Sequence, residues 1–324
     1  MFFNISSALL NEDNEVLLLL FIHRYEDGRI FIEFDDLQVA ENWIASLSKP
    51  HKDRWSMLLR HSIQLSARFN IKKTYPPTLV VHVTDIEESS WDETVKVTLN
   101  DAFSLIDQSI KLALENSRND LLFLKTLLPE KYRDRIDLLI SKGHIEVLGG
   151  GIGELKKILE LRGSEKGFRL LSWTMFDSDA PQPGAVEKAT QEIIDVCEQK
   201  ALTYHCLKKR AIENYINEDI YRLTHRGPLN ERAKAVYSMN EDQISHLNMK
   251  DGLSAAEKAS ELYNSLPPET LAELTQGFGK RFANKTFSCI GAHEDIYKVY
   301  QKNSTLDEFG SKLNHLASLL GRPV

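Results

Sequence analysis

An apolar run ends abruptly in two aspartates in the segment Leu171-Ser172-Trp173-Thr174-Met175-Phe176-Asp177-Ser178-Asp179. Pro181-Gln182-Pro183-Gly184 follows at once, so a strand through this segment has to end at the aspartates. Side chains two apart on an extended chain point to the same side, so Asp177 and Asp179 are expected to direct their oxygens to one point at the rim of a sheet. Oxygen ligands suit Mg²⁺ or Mn²⁺. The same pattern is also common turn chemistry, and the rest of the chain decides between the two.

The composition is that of an ordinary globular protein, with 324 residues, 42% hydrophobic and 27% charged. This length allows two domains, or one domain with an appendage. The net charge of −7 argues against a protein that coats nucleic acid by bulk electrostatics, but it leaves room for a local basic groove.

The cysteine pattern predicts reduced thiols and a cytoplasmic location. Cys197, Cys206 and Cys289 include no CxxC pair, which also disfavours zinc. The apolar run Val16–Ile22 is too short to cross a bilayer, and acidic residues precede it, so we expect neither a membrane anchor nor a signal peptide.

Residues 1–100 read as a mixed α/β N-terminal segment. The pattern predicts a hairpin that turns at Gly28 between Val16–Ile22 and Arg29–Phe34. Further on it predicts helices over 36–47 and 55–69, a chain break at Tyr75-Pro76-Pro77 and a strand over 79–83.

Strands and helices alternate over residues 101–220. The predicted strands are 109–114, 145–148, 171–176 and 202–207, and the predicted helices are 119–128, 130–141, 154–161 and 186–199. This order predicts an α/β fold with a parallel sheet flanked by helices, and a site at the carboxyl ends of the strands. Residues 221–324 are expected to form a helical C-terminal extension.

Each predicted strand of this unit delivers polar groups to the same rim. The first ends in Glu115, the second in a glycine-rich loop at 149–153, and the third in Asp177 and Asp179. The fourth is followed by a basic cluster at 208–210 and then Glu213. Divalent metals held by such carboxylates can polarise a phosphoryl oxygen and activate water.

These motifs resemble the TOPRIM family, in particular its OLD-like nuclease branch and related TOPRIM-like proteins. The matching residues are Ala113-Leu114-Glu115-Asn116 with Asp120 behind it, Gly149-Gly150-Gly151, Phe176-Asp177-Ser178-Asp179, and Glu213-Asn214-Tyr215. The resemblance covers about residues 105–220. The chain departs from the family in having Asn116 where glycine is usual, and in placing Asp120 one residue later than the family's acid.

The resemblance implies a TOPRIM-like catalytic domain over 101–220 and a Mg²⁺- or Mn²⁺-dependent nuclease acting on DNA or RNA. Glu115 would be catalytic as well as a metal ligand, and the other ligands would be Asp177, Asp179 and Glu213, with Asp120 as a further candidate. The OLD-like branch also uses a lysine to stabilise charge in the transition state. Here that catalytic lysine would be Lys250, with Lys280 as the second choice. In a nuclease, phosphate would meet four residues of the loop and the basic cluster: Gly150, Gly151, Lys208 and Lys209.

The same resemblance suggests the effector of a multi-component, phage-defence-like system. The chain has no ATPase motif, so a separate ATPase or sensor subunit is the expected partner, and a homo-oligomer remains open. Two other functions stay in view. One is a sugar-nucleotide transferase that uses Asp-x-Asp to hold Mn²⁺, and the other is a non-catalytic TOPRIM-like module for assembly or regulation.

Overall fold

Two four-stranded sheets, each entirely parallel, form the framework of the chain. The computed structural model describes residues 1–68, 79–225 and 227–321. The first sheet has the order β2-β1-β3-β4. Its strands are β1 Phe2–Ile5, β2 Phe31–Phe34, β3 Val80–Val83 and β4 Val95–Val97.

The second sheet repeats this arrangement, with the order β6-β5-β7-β8. Its strands are β5 Ile110–Leu114, β6 Ile145–Leu148, β7 Ser172–Phe176 and β8 Tyr204–Cys206. Every residue of β5 and β7 is buried, as expected for central strands of a parallel sheet whose two faces are covered. The predicted α/β class, with a parallel sheet flanked by helices, is confirmed.

Helices connect and cover both sheets. Those that precede or link the strands are Glu15–Glu26, Leu37–Ser46, Lys49–Arg68, Leu99–Asp107, Asn119–Thr126, Glu130–Ser141, Ile152–Arg162, Phe168–Leu171 and Lys188–Gln199. Those that follow β8 are Glu218–Thr224, Glu231–Tyr237, Glu241–His246, Ala255–Lys258, Pro268–Glu273, Phe282–Phe287, His293–Lys302 and Thr305–Leu319, the last with a kink at Gly310. Every regular element described beyond β8 is helical, as expected for the C-terminal extension.

One continuous apolar core includes residues from all three predicted segments, among them Phe3, Leu114 and Phe309. A second cluster, which contains Leu155, Phe176 and Ile193, covers the other face of the second sheet. The domain boundaries at 100 and 220 stay a prediction. No helix in the described ranges is long and apolar enough to cross a membrane.

The predicted N-terminal hairpin is wrong. Residues Glu15–Glu26 form a helix, and β2 pairs in parallel with β1. A short, uninterrupted apolar run does not distinguish a strand from a buried helix. The buried residues of this helix, Leu18, Phe21, Ile22 and Tyr25, follow helical spacing, and Gly28 turns the chain after the helix with φ at +71°.

The other predicted elements agree with the structure, with shifts of a few residues at their ends. The largest shift is in the helix predicted from Trp55, which begins at Lys49. The end of that helix at Phe69 and the break at Tyr75-Pro76-Pro77 lie outside the described residues. The three cysteines are unpaired, as expected.

Candidate functional site

The carboxyl ends of β5 and β7 form the crevice in which ligands usually bind in open α/β sheets. The chain leaves β5 towards β6 on one side and leaves β7 towards β8 on the other, so these two connections diverge and leave a crevice between the carboxyl ends of β5 and β7. Glu115 follows β5 and Asp177 follows β7. The amide of Asp177 donates a hydrogen bond of 3.3 Å to Glu115 Oε2, which holds the two strand ends together.

Asp120 joins this crevice through the first turn of its helix. It is 4% exposed, and its Oδ2 accepts a hydrogen bond of 2.8 Å from the amide of Asn116. Asn116 Oδ1 in turn accepts from the amides of Arg118 and Asn119, so its side chain holds the turn that leads into the helix carrying Asp120. Asn116 therefore has a structural use next to Glu115.

Asp177 is buried at 6% exposure, and its Oδ1 accepts a hydrogen bond of 3.2 Å from the amide of Ile212. Asp179 does not follow the extended geometry that the sequence predicts, because β7 ends at Phe176 and Asp179 has φ at +49°. Its amide donates to Arg210 O at 2.9 Å, which fixes this left-handed turn. Asp179 nevertheless belongs to the crevice, because after burial its carboxylate is the largest cause of the raised pKa of Glu115.

Glu213 reaches the crevice from the short 3₁₀ helix Ile212–Tyr215, and it is 2% exposed. Asn214 Nδ2 donates to the carbonyls of Ile244 and Leu247, which fastens this helix to the C-terminal extension. The Glu213-Asn214-Tyr215 motif thus combines one acid of the crevice with a neighbour that positions it.

Lys250 supplies the cation of the crevice. Its Nζ lies 3.4 Å from Glu213 Oε2 and 3.6 Å from Asp177 Oδ2, and its side chain is 39% exposed. The turn that carries it is held by Asn248 Oδ1, which accepts from the amides of Lys250 and Asp251. Gly252 permits this turn, because its φ is +87° and a Cβ there would lie 2.6 Å from Leu274 O.

We refer to the five carboxylates of the crevice as the acid cluster: Glu115, Asp120, Asp177, Asp179 and Glu213. Burial raises the pKa of all five, and repulsion from neighbouring carboxylates adds to the effect. The pKa of Asp120 rises to about 7. Burial would lower the pKa of Lys250, but the carboxylates of Glu213, Asp177 and Glu115 outweigh burial and raise it. These carboxyl groups therefore keep their protons to a higher pH than usual, because five acids crowd around one lysine.

The donor set fits a hard divalent cation in its chemistry. Glu213 Oε2 is buried, and the positive group beside it is the Lys250 ammonium at 3.4 Å, which occupies the side on which a metal ion would bind. Among the described residues, however, no three acidic, histidine or cysteine side chains are close enough together to hold a metal ion as placed. A metal would therefore require the carboxylates to close around the position that the Lys250 ammonium now shares.

The glycine-rich loop supports Glu115. The amides of Gly150 and Gly151 donate to the carbonyl of Glu115 at 3.2 and 2.8 Å. A Cβ at Gly149 would lie 2.3 Å from Leu114 O, so the loop packs directly on the end of β5. With both amides engaged in this way, the role of Gly150 and Gly151 in phosphate binding stays a prediction.

The remaining basic residues are not all brought to the acid cluster. Lys209 Nζ pairs with Glu241 at 2.6 Å, and Arg210 Nη1 pairs with Glu257 at 2.6 Å. Lys208 and Lys280 are exposed, and neither acts on the pKa of the five acids. The structure thus brings Lys250 to the acid cluster, and the roles of Lys208, Lys209 and Lys280 stay predictions.

Asn116 and Asn214 are the positioning residues that sequence reasoning did not identify as such. Both stood next to a predicted acid, and side-chain amides at the start of a helix are a known capping pattern. Comparison with protein-family models, with curated proteins and with solved structures found no match to this chain.

Proposed function

We propose that this chain is a divalent-metal-dependent nuclease that hydrolyses phosphodiester bonds in DNA or RNA. The observation that carries the proposal is the convergence of the acid cluster and Lys250 at one sheet edge. Glu115 and Glu213 are separated by 98 positions in the sequence (213 minus 115), and both act on the same lysine. Buried acids at such density cost folding free energy, which argues for a use other than stability.

Glu115, Asp177, Asp179 and Glu213 would hold Mg²⁺ or Mn²⁺, which supplies Lewis-acid polarisation of the phosphoryl oxygen and lowers the pKa of water. Glu115 would orient the attacking water and accept its proton. Lys250 presents a fixed positive charge where negative charge grows on the phosphoryl oxygens in the transition state. Asp120 fixes the Asn116 amide and with it the turn that follows Glu115.

The test is cleavage of single-stranded DNA, duplex DNA and RNA with Mg²⁺ or Mn²⁺, against EDTA. Glu115→Gln and Asp177→Asn keep the size of each side chain and should abolish cleavage. Asp307→Asn, an exposed carboxylate change on the last helix, is the matched control and should leave cleavage unchanged. Cleavage by both acid variants at the wild-type rate would place the chemistry elsewhere.

A second candidate is a non-catalytic module for assembly or regulation. The observation that favours it is the position of Lys250, whose ammonium already neutralises part of the cluster among acids that do not form a closed metal site. Absence of cleavage with every divalent metal, together with no thermal stabilisation by Mn²⁺, would favour this candidate. A sugar-nucleotide transferase is less well supported, since it leaves Glu115 and Glu213 unexplained.

The nuclease would act as the effector of a multi-component, phage-defence-like system, with any ATPase or sensor on another chain. This part of the proposal rests on family analogy alone. Copurification of a nucleotide-hydrolysing partner with the chain would support it.

A further inference from the structure

A second cleft, of about 600 Å³, lies in the C-terminal extension between the helix Glu218–Thr224 and the segment 278–288. We call it the arginine cleft. Its lining includes Arg232, Phe278, Arg281, Asn284 and Lys285.

The arginine cleft is strongly positive. Arg232, Arg281 and Lys285 line it, and no described lining residue is acidic. Arg281 and Lys285 are exposed. Three cations without a lining carboxylate, on a chain whose net charge is −7, indicate a surface for an anion.

Arg232 has donor capacity to spare. Its Nη1 donates to Gly277 O at 2.7 Å and its Nη2 to Gln276 Oε1 at 3.2 Å. Its Nε is buried and has no hydrogen-bond partner in the described ranges. Arg232 thus contributes its charge to the lining of the cleft and keeps one donor that no described group satisfies.

The wall of the cleft is aromatic. Phe278 stacks on Phe282 with ring centroids 4.3 Å apart and planes at 14°. Phe282 is buried against Tyr221 and His225, whereas Phe278 is only partly buried. Phe278 is therefore the ring of this stack that keeps surface for a ligand, on a rigid support.

Three hydrogen bonds join this wall to the acid cluster's surroundings. The amides of Phe278 and Gly279 donate to Met249 O at 2.8 Å and to Lys250 O at 2.9 Å. Asn284 Nδ2 donates to Asn119 Oδ1 at 3.1 Å, at the start of the helix that carries Asp120. A strand bound in the cleft would run beside the turn that carries Lys250.

From these observations we propose that the arginine cleft binds a nucleic-acid strand with unpaired bases, its phosphates on Arg281 and Lys285 and one base stacked on Phe278. A basic groove with an accessible aromatic ring is the usual way to hold single strands, because every base has a face that can stack. The cleft would thereby define the substrate class of the proposed nuclease as single-stranded nucleic acid. This inference rests on the proposed function.

The experiment measures binding of a labelled 20-nucleotide single strand and of the matching duplex in EDTA, where a metal-dependent nuclease does not cut. Phe278→Leu should weaken single-strand binding about tenfold and leave duplex binding unchanged, as expected for loss of one stacked base. The double variant Arg281→Ala/Lys285→Ala should make the plot of log binding constant against log salt concentration less steep, by about 1.4 in slope. The reason is that each phosphate contact on a single strand contributes about 0.7 to the steepness. Lys166→Ala/Lys302→Ala removes two exposed lysines outside the cleft and should change neither quantity.

Equal loss of affinity from both double variants, or tighter binding of duplex than of single strand by the wild type, would overturn the proposal. All variants should keep the wild-type melting temperature within a few degrees, and Arg281→Ala/Lys285→Ala tests the cleft without touching the Phe278 stack. Failure of the nuclease proposal gives a different result: cleft-dependent binding in EDTA with no cleavage in any metal. Cleavage that persists while the cleft variants bind normally would defeat the cleft proposal alone.

Discussion

The amide of Asp177 donates a hydrogen bond to Glu115 Oε2 at 3.3 Å, across the gap between the ends of β5 and β7. The strand that carries one acid of the cluster therefore positions another. Asp177 is buried beside Glu115, and burial and repulsion from Glu115 both raise its pKa. Ionising both acids therefore costs folding free energy when no metal ion is bound. This relationship leads to the first prediction.

Asp177→Asn should abolish cleavage yet melt at or slightly above the wild type in EDTA. The amide keeps an oxygen for the Ile212 N–H while it removes a buried charge next to Glu115. Adding Mn²⁺ should raise the melting temperature of the wild type by a few degrees through binding to the folded state, and should not raise that of the variant. Differential scanning fluorimetry with and without Mn²⁺ measures both effects. An equal Mn²⁺ shift in the two proteins would show that the metal binds elsewhere.

Lys250→Met should lower cleavage by about 10²–10³, as expected when one preorganised charge is lost from the transition state. It should also destabilise the metal-free protein by about 1–2 kcal/mol, because it leaves Asp177 and Glu213 without their cation. The effect stays below that of a fully buried pair because the lysine side chain is 39% exposed. Urea denaturation in EDTA and a cleavage assay separate the two contributions.

Lys280→Met is the matched control for Lys250→Met, since Lys280 is exposed and does not act on the acid cluster. It should change cleavage by less than tenfold and leave stability within about 0.5 kcal/mol. If the Lys280 variant loses activity while Lys250→Met remains active, the ranking of the two lysines is reversed.

The sequence was sufficient to predict the second sheet because its strands are short apolar runs bounded by turn residues and alternate with helices. The same reasoning failed in the first sheet, where the run Val16–Ile22 is helical and no local feature shows that β2 pairs in parallel with β1. Long-range pairing of this kind depends on packing, which single-residue patterns do not encode.

The candidate site divides in a similar way. Glu115 and Asp177 were predictable because strand ends in a parallel sheet meet at one edge. Asp179 belongs to the crevice for a different reason from the predicted one, since a turn with positive φ rather than an extended strand places it. Lys250 lies 73 positions after Asp177 (250 minus 177), in the C-terminal extension. No sequence pattern links a lysine at this distance to the aspartate.

Gly149→Ala should destabilise the fold by about 1–3 kcal/mol and reduce cleavage sharply. A Cβ at this position would lie 2.3 Å from Leu114 O and 3.0 Å from Ser117 N, so the backbone next to Glu115 must shift. Gly153→Ala is the matched control, because nothing lies within 4 Å of a Cβ there and the residue is helical. It should be neutral or slightly stabilising. Equal effects of the two substitutions would show that the loop does not position Glu115.

Glu308→Gln should destabilise the protein at pH 7, and this loss should shrink as the pH falls below 4.5. Burial would raise the pKa of Glu308, but hydrogen bonds to its Oε1 from His205 Nε2 at 3.0 Å, the Tyr215 hydroxyl at 2.6 Å and the Lys208 amide at 2.9 Å outweigh burial and hold the pKa below its usual value of 4.5. A carboxyl whose pKa is lowered by folding contributes stability above its unfolded pKa, and that contribution is lost as the pH falls through the folded pKa. Glutamine keeps an acceptor oxygen but not the charge, so we expect the free energy of unfolding to fall by about 1–2 kcal/mol at pH 7. This loss shrinks steadily below pH 4.5.

Urea denaturation across this pH range measures the loss. The exposed substitution Asp307→Asn is the control, and its free energy of unfolding should stay within about 0.5 kcal/mol of the wild type throughout. A loss of the same size at pH 7 and pH 3.5 would mean that the shape of Glu308, and not its charge, holds the last helix to β8.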